Sequence, residues 1–546
     1  LPRSMLGSLT RRRHVVLFVY KSWGQIRPLC DLAAHMVQLR AIVVTLFTTA
    51  TFYDRVQNEL KRNFAAEDIH RMLYIRVIAL HHNRSDPLDN RILESSFSKA
   101  FERLINLRPI PCIHTGMEFE TISAPDGVIL DFQGRGPLSE IRRISRKHVK
   151  VYVWFAGAPS AVFRMYCPEQ MGGIGNLPAK SDYLAKHTGM SVERAAGEIA
   201  LGNSACLICI PGLPAIYDYE VQPQRLMGPI GQVGDMMLTA YESVFTDRCR
   251  RTLSGCDGII LAAPECYERE ATVALREYFA STSRTVYACG PLVSQVSSGV
   301  AGEKQQPSIA PVEEFLYATM ASHGERSLVY VSSQISFGTI YWPLEPEKLS
   351  AFLDIVISMR IPFVSLQILN HASPYLPAEE SIIDKVTKYR YGLFTRWSPQ
   401  QLILGHSVTG WFVTNGGHSS VIESIAEGVP MICWPFSFNH SLNAVRVSEG
   451  LKIGYELLET RNGPGLKRAH RLGKAPQGTL EAFIEEARDT LRRALGEDGV
   501  RKQRNVQRLR REVAQAWSRR GSSRRAVEEL LNSFGCGGAF LPSWLC

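Results

Sequence analysis

Residues 397–444 hold the side chains whose types and spacing name a chemistry, and they read WSPQQLILGHSVTGWFVTNGGHSSVIESIAEGVPMICWPFSFNHSLNA. The apolar run at 410–414 predicts a strand, Gly416-Gly417 a tight turn, and Ser419-Ser420 a helix start with Ile422, Ile425 and Ala426 facing inward. A strand that passes through glycines into a helix N-terminus makes an anion site. Backbone can come close there, and unpaired N–H groups and the helix dipole face the ligand. Trp397 supplies a flat ring upstream, and Glu423 a carboxylate one turn into the helix. A ring for a base, a cradle for phosphate and a carboxylate for sugar hydroxyls together suggest a nucleotide-sugar site.

The rest of the chain predicts what must hold this segment. Short apolar runs alternate with helical patterns in two sets, the first from His14–Tyr20 to Thr285–Cys289, the second from Leu328–Ser332 to Met431–Trp434. Their continuous Val/Ile/Leu content, without strict alternation, predicts strands buried on both faces and hence parallel sheets. CLICIP, from Cys206, is counted among the strands of the first set. After the first strand, Leu29, Leu32, Ala33, Met36 and Leu39 form a one-faced helical stripe. VSSGVAGEKQQPSIAP, ending at Pro311, reads as a linker between the sets. The fold class is therefore α/β, two doubly wound halves that bind ligands outside the carboxyl ends of their strands.

From Trp397 to Ala444 the chain resembles, in register, the donor-binding signature of the family 1 UDP-glycosyltransferases, in the fungal-type spelling GGHSS. PGLPAIYDYEVQPQ, from Pro211, and the ending GSSRRAVEELL extend the resemblance over nearly the whole chain. It implies the GT-B fold: two Rossmann-like domains facing a cleft. Residues 1–293 would bind the acceptor, 294–311 link, 312–499 bind the UDP-sugar, and 500–546 return as helices to the first domain. It further implies an inverting hexosyl transfer from a UDP-sugar to a hydroxyl of a small lipophilic acceptor such as a sterol, terpenoid or phenol. Trp397 would stack on uracil, and Gln400 and Glu423 would hold the ribose. Asn415, Gly417, Ser419, Ser420, Gly338 and Thr339 would meet the diphosphate, and His418, Asn439 and His440 would face the sugar. No Asp-x-Asp metal motif occurs, so no metal or other cofactor is expected; helix-terminal and side-chain donors would meet the leaving group.

Several positions depart from that pattern. In the loop KSWGQIRP, Gln25 stands where the family's GHxxP has its general-base His, while Asp131 in VILDF matches the Asp that orients the base. An amide can position a hydroxyl but cannot take its proton, and general-base assistance is worth about 10²–10⁴ in rate. Asp131 then remains as the group that assists attack, with Gln25 as positioner. Asn415 replaces a diphosphate-binding His, and Asn439-His440 replaces the usual Asp-Gln. VSSQISFGT, from Val331, is about four residues longer than the family's strand-to-Ser-Phe-Gly junction. Two functions follow: a transferase weakened at Gln25, or a catalytically silent protein that binds a UDP-sugar or another ligand.

Composition narrows the partners. The formal charge of +10 collects toward the end of the chain, where thirteen basic residues face four acidic ones between Arg488 and Arg525. Val506, Leu509, Val513 and Trp517 recur there at helical spacing, so the arginines read as the solvated face of an amphipathic helix, not as a nucleic-acid surface. That basic face leaves room only for weak peripheral contact with an anionic membrane. No apolar run approaches the ~18 residues of a membrane helix, and RRRHVVLFVY is too short in its apolar part for a signal peptide. The twelve cysteines show no paired framework, and Cys206 and Cys209 read as buried thiols of a strand. A cytoplasmic location is expected. His14, at the far end of its strand from the cleft, reads as structural.

Overall fold

The computed structural model describes residues 12–83, 89–146, 149–201, 205–224, 247–293, 309–332, 345–366, 384–395, 398–436 and 439–536. Two parallel sheets organise the chain. The first contains β1 (Arg13–Phe18), β2 (Ile42–Thr49), β3 (Ile75–Leu80), β4 (Gly127–Asp131), β5 (Lys150–Phe155), β6 (Gly258–Leu261) and β7 (Thr285–Ala288). Its strand order is β7-β6-β5-β4-β1-β2-β3. The second contains β8 (Leu328–Ser332), β9 (Phe363–Leu366), β10 (Gly392–Thr395), β11 (Thr409–Thr414), β12 (Met431–Cys433) and β13 (Gly454–Glu456), in the order β10-β9-β8-β11-β12-β13. Every strand pair within these two sheets is parallel.

The strand order reverses between β1 and β4 in one half and between β8 and β11 in the other. At such a switch point neighbouring loops diverge to opposite faces and leave a crevice at the carboxyl ends. Phe18 pairs with Leu130 and Ser332 with Thr414, so the loop after Phe18, Asp131 and the Asn415 turn all lie at those crevices. The strands bury both faces: β2 is buried throughout. One side of the first sheet packs on α1 (Trp23–Leu39) through Leu29, Leu32, Ala33 and Met36, and the other on Phe97 and Phe101.

The expected linker ends in helix, which begins at Ala310. CLICIP is not a strand of the first sheet. Only Leu207–Ile208 is extended, pairing antiparallel with Ile216–Tyr217, and Cys206 and Cys209 are exposed thiols. Leu207 is exposed along with the two thiols, so the segment's apolar character did not place it inside a sheet. The basic terminal helix is two. Glu497–Gln515 buries Val506, Leu509 and Val513 against the second half, and Ser522–Ser533 packs Val527, Leu530 and Leu531 on the first. The return therefore occurs at 516–521. Among the described residues no helix is long and apolar enough to cross a membrane.

Candidate active site

The helix α2 (His418–Glu427) starts directly after the glycine turn. Gly416 takes φ of +82°, a left-handed conformation that side chains disfavour. A Cβ there would stand 2.9 Å from the His440 carbonyl oxygen, so the turn also needs the missing side chain. Asn415 Oδ1 accepts from the Gly417 N–H at 3.0 Å and Thr414 Oγ1 from the Gly416 N–H at 3.3 Å. The first backbone bond of the helix runs from the Val421 N–H to the Gly417 carbonyl, and no side chain caps it. The N–H groups of the first turn thus stay free of intrahelical partners and face the cleft, as an anion site requires.

One turn further on, Glu423 is buried with 5 % exposure. Gln400 Nε2 donates to Glu423 Oε2 at 2.8 Å and to Ser420 Oγ at 3.2 Å. Arg27 Nη1, from the opposite half, donates to Glu423 Oε1 at 2.8 Å, and its Nε to Glu59 Oε1 at 3.1 Å. Ser419 Oγ donates to the Gly24 carbonyl at 3.4 Å, and Arg62 Nη2 to Gln401 Oε1 at 2.6 Å. The cleft is therefore narrow: a cavity of about 90 Å³ lies between Arg27 and the residues His418, Ser419, Ser420 and Glu423.

His418 and His440 are both held neutral by burial, each with its pKa pushed down to about 4. The His418 ring meets Tyr267 edge-on at 5.5 Å. A Cβ on Gly417 would lie 4.0 Å from His440 Nε2, which puts that ring beside the turn. Asn439 opens the helix that contains His440 (Asn439–Val445). Trp397, Gly338 and Thr339 lie outside the described residues.

Across the cleft, Gln25 sits in the first turn of α1. Its Oε1 accepts from the Ala156 N–H at 3.3 Å, and its carbonyl oxygen accepts from Trp154 Nε1 at 3.1 Å. Asp131 ends β4 with 1 % exposure; Oδ1 accepts from the Gln133 N–H at 2.9 Å and Oδ2 from the Tyr20 N–H at 3.3 Å. Burial pushes its pKa up to about 6, against the pull of those two N–H groups and of Arg248. Gln25 and Asp131 come to the same crevice but share no hydrogen bond among the described residues. His14 is wholly buried between the Ser123 carbonyl and Thr45 Oγ1, both at 2.8 Å, which makes it a structural residue.

Sequence reasoning missed the residues that tie the halves together. Asn443 Nδ2 donates to the Gly416 carbonyl at 2.8 Å while its Oδ1 accepts from Tyr267 OH at 2.8 Å, so it fastens the turn to the first half. Its signal was the Asn-Ala that closes the signature. Arg27 stood in plain view beside Gln25, yet nothing in the sequence paired it with Glu423.

Residues 275–455 match the family model described as UDP-glucoronosyl and UDP-glucosyl transferase. Over 96 % of its length the chain is 25 % identical to a "UDP-glycosyltransferase eriJ" of Hericium erinaceus, covering 99 % of that protein. In the 275–455 segment the chain is similar to the UDP-glycosyltransferase family. A "Hydroquinone glucosyltransferase" of Rauvolfia serpentina is 34 % identical over 31 % of this chain and 32 % of its own length. The UDP-glycosyltransferase fold extends further than that local identity. Phytolacca americana UGT2, complexed with UDP-2fluoro-glucose and pterostilbene, superposes with a TM-score of 0.63 at 18 % identity, covering 96 % of this chain and all of its own. The two parallel-sheet halves are thus the GT-B fold.

Proposed function

We propose that this protein transfers a hexose from a UDP-sugar to the hydroxyl of a small lipophilic acceptor, with inversion at the anomeric carbon. The observation that carries the reading is the uncapped N-terminus of α2 beside Glu423, whose second oxygen is already oriented by Gln400. In this reading Ser419, Ser420, Asn415, Gly417 and the first-turn N–H groups hold the diphosphate, with Gly338 and Thr339 approaching from the β8 loop. Glu423 and Gln400 take the ribose hydroxyls under the Trp397 ring, and His418, Asn439 and His440 read the hexose. Both imidazoles are neutral, so they act as hydrogen-bonding groups. No metal is required. The names of the hydroquinone and pterostilbene relatives favour a phenol over a sterol or terpenoid, because a phenol's proton needs the least help to leave. Cytoplasmic activity accompanies this reading.

In the transfer, the acceptor oxygen bonds to the anomeric carbon as the bond from that carbon to the β-phosphate oxygen breaks and its electron pair stays on UDP. The hydroxyl proton passes toward Asp131, and Gln25 Nε2 steadies the acceptor oxygen. A second reading, a catalytically silent binder of UDP-sugar, is favoured by one observation: both Asp131 oxygens and the Gln25 Oε1 are already engaged by backbone N–H groups. Release of UDP from UDP-glucose and UDP-galactose over a panel of phenols and sterols separates the two, with wild type beside Gln25→His. Acceptor-dependent release by wild type supports the transferase, and Gln25→His is expected to raise it by about 10²-fold or more. Release by the variant alone supports the silent reading.

A further inference from the structure

A departing UDP concentrates negative charge on its β-phosphate, and the groups so far placed around it are neutral. Asn415 is an amide, Ser419 and Ser420 are hydroxyls, and His418 is kept uncharged by burial. Among the described residues that line the cleft cavity, Arg27 is the only cation. It comes from the acceptor half, two residues beyond Gln25, and its side chain is 18 % exposed. Nε and Nη1 are committed to Glu59 and Glu423, whereas Nη2 donates to nothing among the described residues. Glu59 also takes Arg62 Nη1 at 3.2 Å, so it is not Arg27's alone.

We propose that Arg27 is the cation that stabilises the leaving diphosphate, supplied across the cleft by the acceptor domain. This rests on reading the cleft as a UDP-sugar site. The ribose hydroxyls need the Glu423 oxygen that Arg27 now holds. Seating the donor therefore loosens Nη1 while leaving Nε anchored on Glu59. From Glu423 to the first turn of α2 is one helical turn, about 5.4 Å; a guanidinium pivoting on its anchored Nε covers part of that distance, and a hydrogen bond of about 2.9 Å to a phosphate oxygen spans the rest. There it meets the phosphate oxygens beside Ser419 and Ser420 with two parallel donors, a geometry suited to Arg and not to Lys. Charge-assisted bonds at the leaving oxygen grow as charge develops, so Arg27 acts on the transition state as well as on the bound nucleotide. The charge that Asn415 does not bring to this site comes from the other domain.

The test needs no acceptor: titrate UDP and uridine separately into wild type, Arg27→Met and Arg27→Lys, with thermal unfolding as a control for fold. Uridine carries the base and ribose but no diphosphate. Arg27→Met is expected to weaken UDP by about tenfold or more while uridine changes less than about twofold, and Arg27→Lys to keep part of the UDP preference. Equal losses for UDP and uridine would make Arg27 only a tie to Glu423 and overturn the proposal. Unchanged UDP affinity in a folded Arg27→Met would overturn it too, leaving the donor reading intact. Wild type that binds neither ligand would overturn both. An Arg27→Met chain that fails to fold passes the decision to Arg27→Lys: a reduced ratio of UDP to uridine affinity supports the proposal, and an unchanged ratio overturns it.

Discussion

Gln25 and Asp131 stand at one crevice with no hydrogen bond between them among the described residues, and that sets the chemistry of the acceptor side. An orienting Asp has nothing to orient here, so its two oxygens hold Tyr20 and Gln133 instead. Its carboxyl, raised to about 6 by burial, is protonated below that value and ionised above it. As proton acceptor it works only when ionised. With a phenol acceptor, kcat/KM is expected to rise through about pH 6 and then level off, while Asp131→Asn loses the step and about 10²-fold or more in rate. An Asp131→Asn profile that keeps the step would assign the proton to another group. The Gln25 substitution was legible because it falls in a short fixed-spacing motif. The loss of its bond to Asp131 was not, since it depends on which neighbours claim each oxygen.

The glycine turn and α2 form the element that the donor side depends on. Gly416 is there for its φ of +82° and for the His440 carbonyl that a side chain would strike. Gly416→Ala is expected to strain the turn by about 1–2 kcal/mol and displace the helix of Asn439 and His440. Weaker UDP binding at a slightly lower melting temperature would show it; unchanged binding would place the diphosphate elsewhere. This element was readable in the sequence because glycines, serines and a one-faced stripe each demand a conformation locally. Most strands of both sheets were readable too, as Val/Ile/Leu runs such as HVVLF and GIIL can only be satisfied inside. Two kinds of element escaped: Gly454–Glu456, whose three residues carry no period, and CLICIP, whose apolar run lies outside the sheet.

At the scale of the molecule, the halves are joined by contacts between residues remote in sequence. Arg27 and Glu423 are 396 positions apart, and no local pattern encodes such a pair. Arg446 of the donor half donates to the Tyr267 carbonyl at 2.7 Å, and Gln224 reaches the Pro435 carbonyl at 2.9 Å in the other direction. The C-terminal helix completes the first domain: Phe534, with 3 % exposure, fills the space over Gly127, where a Cβ would come within 2.0 Å of its ring. Phe534→Ala is expected to cost about 3–5 kcal/mol, seen as a lower urea midpoint with the donor site's residues unaltered. A midpoint that does not move would mean that the helix adds nothing to the first domain.

The whole assembly serves one site, and the donor nucleotide tests it most directly. Calorimetric titration of UDP into wild type and Glu423→Gln, both confirmed folded, is the decisive measurement. Saturable binding by wild type, weakened about tenfold or more in Glu423→Gln, is the expected result, since the variant removes a charged acceptor from the ribose. Absence of binding to wild type, or equal affinity in the variant, would contradict the assignment of this cleft to a UDP-sugar.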